Sequence, residues 1–445
     1  MKVMMIQLGC DKNLVDSEMM LGVLADNGFE LTDDEETAEV IVVNTCSFIL
    51  DSKQESIDTI IEMGRLKQNG QLKCLVCAGC LAQRYADEIK NELPEVDVLV
   101  GTTAFDKIAE AINAYFDKKN ENTDEIVKFI EDKDRLVSGL RRVVSTGGHY
   151  AYLKISEGCD KKCTYCAIPS MRGKYRSVPM ETLIDEARSL AERGVVELIL
   201  VAQETTVYGE DIYGEKSLHK LLKELCKIED LKWIRLLYCY PEEIYDELIY
   251  TIKTEEKICK YLDIPIQHAD DYILQRMGRR TDRRYIENLV EKLRTEIPEI
   301  CLRTTLIVGF PGEEDEHFEN LKDFIKKMRF DRLGVFAYSP EDGTVAEKMP
   351  KQVDDAVKEK RRDECMIIQQ QIAFEKAKEH IGRVLPVMVE GRIPEGALVA
   401  RTYMDAPDVD GYVFIDTDAE LPCGTFVNVE IFESNEYDLI GGMAE

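Results

Sequence analysis

The chain opens with short apolar runs set between amphipathic segments. Residues 3–8, 40–43, 72–78 and 96–100 are apolar runs, and the stretches near 13–27, 50–66, 84–92 and 105–116 carry helical periodicity. This alternation predicts a parallel α/β sheet. A charged stretch follows and ends in Ser145-Thr146-Gly147-Gly148, which marks a boundary; part of it reads as helix or hairpin. From residue 150 to 340 a strand-helix unit recurs about six times, with strands expected at 152–155, 197–201, 233–237, 261–264, 302–308 and 333–336. Six such units predict an open, partial (β/α) barrel, whose chemistry gathers at the C-terminal ends of the strands. Residues 354–380 read as one long charged connector helix. Beyond it, runs at 384–389, 397–403, 411–415 and 426–432, with Gly391, Gly396, Gly411 and Gly424 at turns, predict a small antiparallel β-barrel. The expected division is 1–118, a linker at 119–148, a central barrel at 149–376 and a final module at 377–445.

Chemistry enters at Glu157-Gly158-Cys159-Asp160-Lys161-Lys162-Cys163-Thr164-Tyr165-Cys166, directly after the first strand of the central barrel. The spacing is C-x3-C-x2-C. Three thiolates hold three irons of a 4Fe–4S cube and leave the fourth iron for a substrate or cofactor. A zinc knuckle would need a fourth ligand. A second set of three is scattered: Cys10 follows the first N-terminal strand, Cys46 the second and Cys80 the third. Ligands of open parallel sheets sit at the carboxyl ends of strands, so these three converge despite their separation. Cys74 and Cys77 offer an alternative, since 74, 77 and 80 spell C-x2-C-x2-C. Both lie inside an apolar run, however, and residues three apart on a strand face opposite sides.

Composition narrows the setting. Fourteen cysteines without a secretory signal predict a reducing cytoplasm, where clustered cysteines are metal ligands or catalysts. No apolar run reaches the length of a membrane span. The net charge is −29, of which residues 377–445 carry −10 from 4 basic and 14 acidic residues. Nucleic-acid binding rests on Lys and Arg neutralising phosphates. The acidic final module therefore suits a basic protein partner better than RNA.

The Cys159 loop resembles the radical S-adenosylmethionine signature, with Tyr165 as the aromatic before the last cysteine. The order of two cysteine triads, open barrel and small β-barrel is similar to that of the methylthiotransferases over essentially the whole chain. Local runs agree: Gly9-Cys10 with Lys12-Asn13, Asn44-Thr45-Cys46, Gly79-Cys80-Leu81-Ala82-Gln83-Arg84-Tyr85 and Gly309-Phe310-Pro311-Gly312. Three further runs resemble the ribosomal-protein branch rather than the tRNA branch. They are Ala202-Gln203-Glu204-Thr205-Thr206-Val207-Tyr208-Gly209, with Glu204 where Asp is usual, Ile264-Pro265-Ile266-Gln267-His268, and the run from Arg401 to Gly411.

The resemblance implies two 4Fe–4S clusters, on Cys159, Cys163 and Cys166 and on Cys10, Cys46 and Cys80. It implies S-adenosylmethionine in two roles: methyl donor to sulfur carried at the auxiliary cluster, and source of a deoxyadenosyl radical. The radical takes hydrogen from the β-carbon of an aspartate in ribosomal protein S-twelve, free or in the small subunit, and that carbon receives the methylthio group. A reductase such as flavodoxin or ferredoxin and a sulfur donor are implied partners. Tyr165, Gln203, Glu204, Arg303 and Gly309 are the implied cofactor-binding residues. Gln203 and Glu204 stand where the cofactor's amino group binds, Arg303 suits its ribose or carboxylate or else a salt bridge, and Gly309 admits close backbone approach. His268 and Tyr338 face the site or only pack. The competing readings are a tRNA adenosine methylthiotransferase and a non-catalytic iron–sulfur or zinc scaffold.

Overall fold

The computed structural model describes residues 1–121, 125–394 and 396–444. Residues 122–124 of the expected linker, and 395 and 445 of the final module, lie outside the described residues.

The first sheet comprises β1 (Lys2–Gln7), β2 (Glu30–Leu31), β3 (Val40–Thr45), β4 (Cys74–Gly79), β5 (Val98–Val100) and β6 (Val127–Phe129), all parallel, in the order β2-β1-β3-β4-β5-β6. Every residue of β3 and β4 is buried, as expected of a parallel sheet covered on both faces. Helices Asp11–Asp26 and Ile108–Asn120 pack on one face, and Leu50–Arg65 and Ala86–Glu92 on the other. Here the expectation of a linker from 119 needs correction, because β6 belongs to the sheet. Three residues, Val127-Lys128-Phe129, are too few to show a period-two pattern.

The central sheet runs β7 (Tyr150–Lys154), β10 (Glu197–Val201), β11 (Trp233–Leu236), β12 (Ile258–Asp263), β13 (Cys301–Val308) and β14 (Arg332–Ala337), parallel and in chain order. It is an open (β/α)6 half-barrel, as the repeat predicted. A two-stranded ribbon, β8 (Ser156–Glu157) with β9 (Arg176–Ser177), brackets the cysteine loop. Residues such as Leu198, Leu200 and Leu236 face the surrounding helices, whereas Ile199, Val201 and Tyr261 face inward.

The final module is a closed five-stranded barrel: β15 (Val384–Arg392), β16 (Leu398–Thr402), β17 (Val413–Asp416), β18 (Phe426–Asn435) and β19 (Asp438–Met443). The expected antiparallel barrel holds with one difference. The fifth strand, hidden in sequence by Gly441-Gly442, closes it through a parallel pairing of β17 with β19.

This module does not hang free. Met388, Met404 and Ala406 join the inward-facing residues of the central sheet in one apolar cluster. Beside it Glu197 accepts from Arg235 Nε at 2.7 Å and from Arg401 Nη2 at 2.6 Å, all three side chains fully buried. Arg235 also donates to the Tyr403 carbonyl at 2.7 Å, and Tyr261 donates to Asp410 at 2.9 Å. The Arg401–Gly411 run thus fills the floor of the half-barrel instead of forming an open surface.

His149 adds a titratable link at the same junction, its Nε2 2.7 Å from Glu390 Oε2. Burial alone would lower the imidazole pKa, but the hydrogen bond and charge of Glu390 raise it above 6.5. The stability from this pair is therefore full below about pH 6.5 and is lost as pH rises through the folded-state value. Thermal melting should show this loss, and His149→Gln should flatten the profile across that window. An unchanged profile would remove the link from the docking.

Candidate functional site

The loop between β8 and helix Ile168–Arg172 carries the C-x3-C-x2-C triad. Its backbone is pinned from three sides. Cys159 N donates to the Gly173 carbonyl at 3.1 Å, Thr164 N to Met277 O at 2.9 Å, and Ala346 N to Thr164 O at 2.8 Å. Gly158 turns the chain at φ 80°, where a Cβ would collide with the Lys174 carbonyl. Cys159 and Cys163 are buried and Cys166 is half-buried. Burial first, then neighbouring charges including each other's, pushes the Cys159 and Cys166 thiols up to about 12. Thiols so disfavoured as free anions become good ligands once metal charge compensates them. Among the described residues no three His, Cys, Asp or Glu side chains gather around one metal-ion position; the irons of a cube sit at separate corners.

The surroundings fit an anionic cluster. The Arg279 side chain is fully buried, its guanidinium 4.1 Å over the Tyr240 ring, with Nε and Nη1 lacking partners. The Tyr240 hydroxyl lies 3.1 Å from Cys163 Sγ. Unpaired buried donors beside a thiolate are costly unless something accepts from them, and an anionic sulfur cluster does. Nothing in the isolated sequence singled out Arg279; only the Gly278-Arg279 turn, with a Gly278 Cβ position 2.8 Å from the Lys162 carbonyl, ties it to the loop.

At the end of β10, Gln203 Nε2 donates to Glu157 Oε1 at 2.7 Å and leaves its own Oε1 unpaired. Glu204 is buried beside Cys159. Its Oε1 accepts from Thr206 N at 2.9 Å, and its Oε2 has no partner. Burial raises its pKa to about 7. Two unpaired acceptors next to the triad fit an amino group. Arg303 lies on the inner face of β13, 3.7 Å from both Asp263 and Asp410. Tyr165 is half-buried behind the loop, edge-on to Phe310, which in turn packs on Tyr338. A Cβ on Gly309 would strike the Lys358 stem, so this glycine answers to the connector helix Asp355–Lys378. His268 is fully buried, 3.5 Å from Glu313, and packs.

Cys10, Cys46 and Cys80 follow β1, β3 and β4, three adjacent strands of the first sheet. Gly9 has φ 85°, and a Cβ there would lie 2.7 Å from Cys46 Cβ, so the first and second cysteine loops touch. Cys80 Sγ is 3.8 Å from Asn13 Oδ1. Burial first, then Cys46 and Cys10, pushes the Cys80 thiol to about 12, with Arg172 opposing. Cys80 packs with Ala167 and Met171, which follow Cys166, so the segments carrying the two triads meet at the domain junction. Lys12 Nζ, 2.9 Å from Asp11, lies 3.3 Å above the ring of Tyr238, a residue held at φ 60° at the end of β11. Cys74 and Cys77 join different cores on opposite faces of the sheet, both fully buried. Cys77→Ser should accordingly leave iron per chain unchanged; loss of half would move the ligand set to 74, 77 and 80.

Comparisons with known proteins agree. Residues 2–101 match the uncharacterized protein family UPF0004, 153–325 the radical SAM superfamily and 381–443 the TRAM domain. The chain is 57% identical over 442 residues, 99% of each chain, to the ribosomal protein uS12 methylthiotransferase RimO of Lachnoclostridium phytofermentans. It is 53% identical, over 99% of its length and 98% of the relative's, to the protein of that name from Acetivibrio thermocellus. Among solved structures, the radical S-adenosylmethionine methyltransferase TsrM from Kitasatospora setae shares the fold, with TM-score 0.55 and 17% identity over 92% of this chain and 80% of that one. The chain belongs to the RimO methylthiotransferases of the radical SAM superfamily.

Proposed function

We propose that this chain inserts a methylthio group into the β-carbon–hydrogen bond of an aspartate in ribosomal protein uS12. The observation that carries this reading is the pair of thiol triads, one on a half-barrel and one on a separate parallel sheet. Cys159, Cys163 and Cys166 would hold one 4Fe–4S cluster and Cys10, Cys46 and Cys80 the other. Bound S-adenosylmethionine would supply the methyl group and the hydrogen-abstracting radical, and the clusters the electron and the transferable sulfur, that an unactivated C–H bond requires.

The protein's own residues bind and orient the cofactor. Gln203 and Glu204 offer unpaired acceptors to the cofactor's amino group. Arg303, on the inner face, suits its carboxylate or ribose. Lys12 and Tyr238 join the first domain to the end of β11 beside the Cys10 loop. Cys46, Cys80, Cys159 and Cys163 are buried and Cys166 half-buried, whereas Cys10 is exposed, which leaves the auxiliary triad open on one side. Residues 1–129 form the auxiliary unit, 150–378 the radical core, and the final barrel docks on its floor.

The exposed face of that barrel carries Asp416, Asp418, Glu420, Glu430, Glu433 and Glu436, which supports a basic protein substrate over tRNA. A one-electron reductase and a sulfur donor complete the reaction from outside the chain. Among the described residues no helix is long and apolar enough to cross a membrane; action in the cytoplasm, where ribosomes are found, completes the reading.

The test is an anaerobic assay of reconstituted protein with S-adenosylmethionine, sulfide and reductant, offered a uS12 loop peptide and tRNA in parallel. A methylthio mass gain on the peptide alone is expected. A gain on the tRNA alone would transfer the chain to the nucleic-acid substrate class.

A further inference from the structure

Arg172 closes the helix that follows the radical loop, yet its guanidinium points into the first domain. It is 3% exposed. Nη1 donates to Asp16 Oδ2 at 2.7 Å and to Glu157 Oε2 at 3.2 Å, and Nη2 donates to Asn13 Oδ1. Lys154 Nζ donates to the same two acids, to Glu157 Oε2 at 2.8 Å. Two cations and two anions thus form a closed buried set. Asn13 and Asp16 come from the first domain, and Lys154, Glu157 and Arg172 from the radical core.

Both ends of this set reach a site. Asn13 Oδ1, held by Arg172, is the atom 3.8 Å from Cys80 Sγ. Glu157 Oε1 takes the Gln203 amide at 2.7 Å. A chain of contacts therefore runs Cys80, Asn13, Arg172, Glu157, Gln203. Replacing such buried ionic sets by apolar packing is often neutral or stabilising, so holding two domains together does not by itself call for one. Three thiolates gathered together, two of them on buried cysteines, do call for compensating positive charge. The first domain offers Lys12, which pairs with Asp11 and lies over the Tyr238 ring; Arg172 is also paired with acids, but it alone holds the Asn13 oxygen that contacts Cys80.

We propose that Arg172, carried by the radical core, is a positioning residue for the auxiliary triad. Its fork fixes Asn13 against Cys80 and its charge compensates the auxiliary centre, so that centre is electrostatically complete only when the two domains are docked. This rests on Cys10, Cys46 and Cys80 being the auxiliary ligands. Outer partners of metal ligands tune both affinity and potential. Removing a neighbouring cation makes a cluster harder to reduce.

The test uses the full chain carrying Cys159→Ala, Cys163→Ala and Cys166→Ala, reconstituted with iron and sulfide. It then holds only the auxiliary cluster, which takes one electron from a chemical reductant and is followed by electron paramagnetic resonance. Arg172→Gln in this background should lower the ratio of reduced to oxidised cluster at fixed potential about tenfold, a shift of ~59 mV. Arg172→Lys, which keeps the charge, should restore most of it. A purely structural role would change iron content but not the potential of the cluster that remains, so an unchanged potential in Arg172→Gln overturns the proposal. If that variant retains too little iron to titrate, Arg172→Lys decides: iron retained at a parent-like potential supports the proposal, and a loss of iron like that of Arg172→Gln overturns it. A background that holds no iron at all refutes the ligand assignment itself, and this inference falls with it.

In the otherwise native protein, Arg172→Gln should lower methylthio product about 10–100-fold while deoxyadenosine still forms. Equal loss of both products would place Arg172 in the radical site instead.

Discussion

Cys163→Ala should abolish deoxyadenosine formation while iron falls only from about eight to about four per chain, the complement of one cubane cluster. The reasoning is positional. Cys163 sits between Cys159 and Cys166 on one pinned loop, with the Tyr240 hydroxyl and the unpaired Arg279 donors gathered around it. Alanine removes one of three corners, and the buried loop supplies no replacement thiol. The auxiliary triad stands on different strands and keeps its three ligands. Deoxyadenosine measured by chromatography, with iron counted on the same sample, checks both halves. Persistent cleavage of S-adenosylmethionine would sink the assignment of the radical site.

The second large effect concerns Glu197, which touches no reacting atom. Burial alone would raise its pKa, but Arg401 and Arg235 hold it below the ordinary carboxylate range. Glu197→Leu leaves two buried guanidinium groups facing each other without their shared anion. Breaking a buried pair from one side costs about 3–5 kcal/mol, a large fraction of a domain's stability. The expected phenotype is release of the final barrel: a lower first melting transition and rapid proteolytic cleavage near residues 378–384. Glu430→Gln, on an exposed face, should stay within about 0.5 kcal/mol of the parent. Parent-like melting of Glu197→Leu would show that the apolar cluster around Met404 docks the barrel unaided.

Much of this was legible in the chain. Strand-helix alternation has a strong period, so the parallel sheets could be read in advance, and the six cysteines could be seen to fall at strand ends, where the structure also has them. Cys74 and Cys77 were separable from Cys80 because strand geometry puts residues three apart on opposite faces. What was hidden has a common cause. Asn13, Arg172, Arg279 and Arg401 are polar residues whose partners come from distant segments, and a long charged side chain reads as surface until its counter-charge is found. Arg401 looked like part of an acidic, outward-facing module; its partner lies 204 residues earlier. Gly309 and Tyr165 carried the opposite ambiguity, since each suited a cofactor yet packs against Lys358 or Phe310. The strands Val127–Phe129 and Asp438–Met443 were missed because one is short and the other carries a glycine pair.

The filled floor of the half-barrel also bears on how the chain is made. Domains fold as units while synthesis proceeds from the N-terminus. When the central sheet first assembles, Glu197 and Arg235 have each other, but the inward apolar face around Ile199, Val201 and Tyr261 has no cover. Its cover is encoded in Arg401–Asp410 and Met388, among the later segments to leave the ribosome. Until they arrive, the nascent enzyme displays a sticky inner wall that chaperones and proteases can sense. Chains stopped before residue 400 would carry both cysteine triads with this inner wall still uncovered.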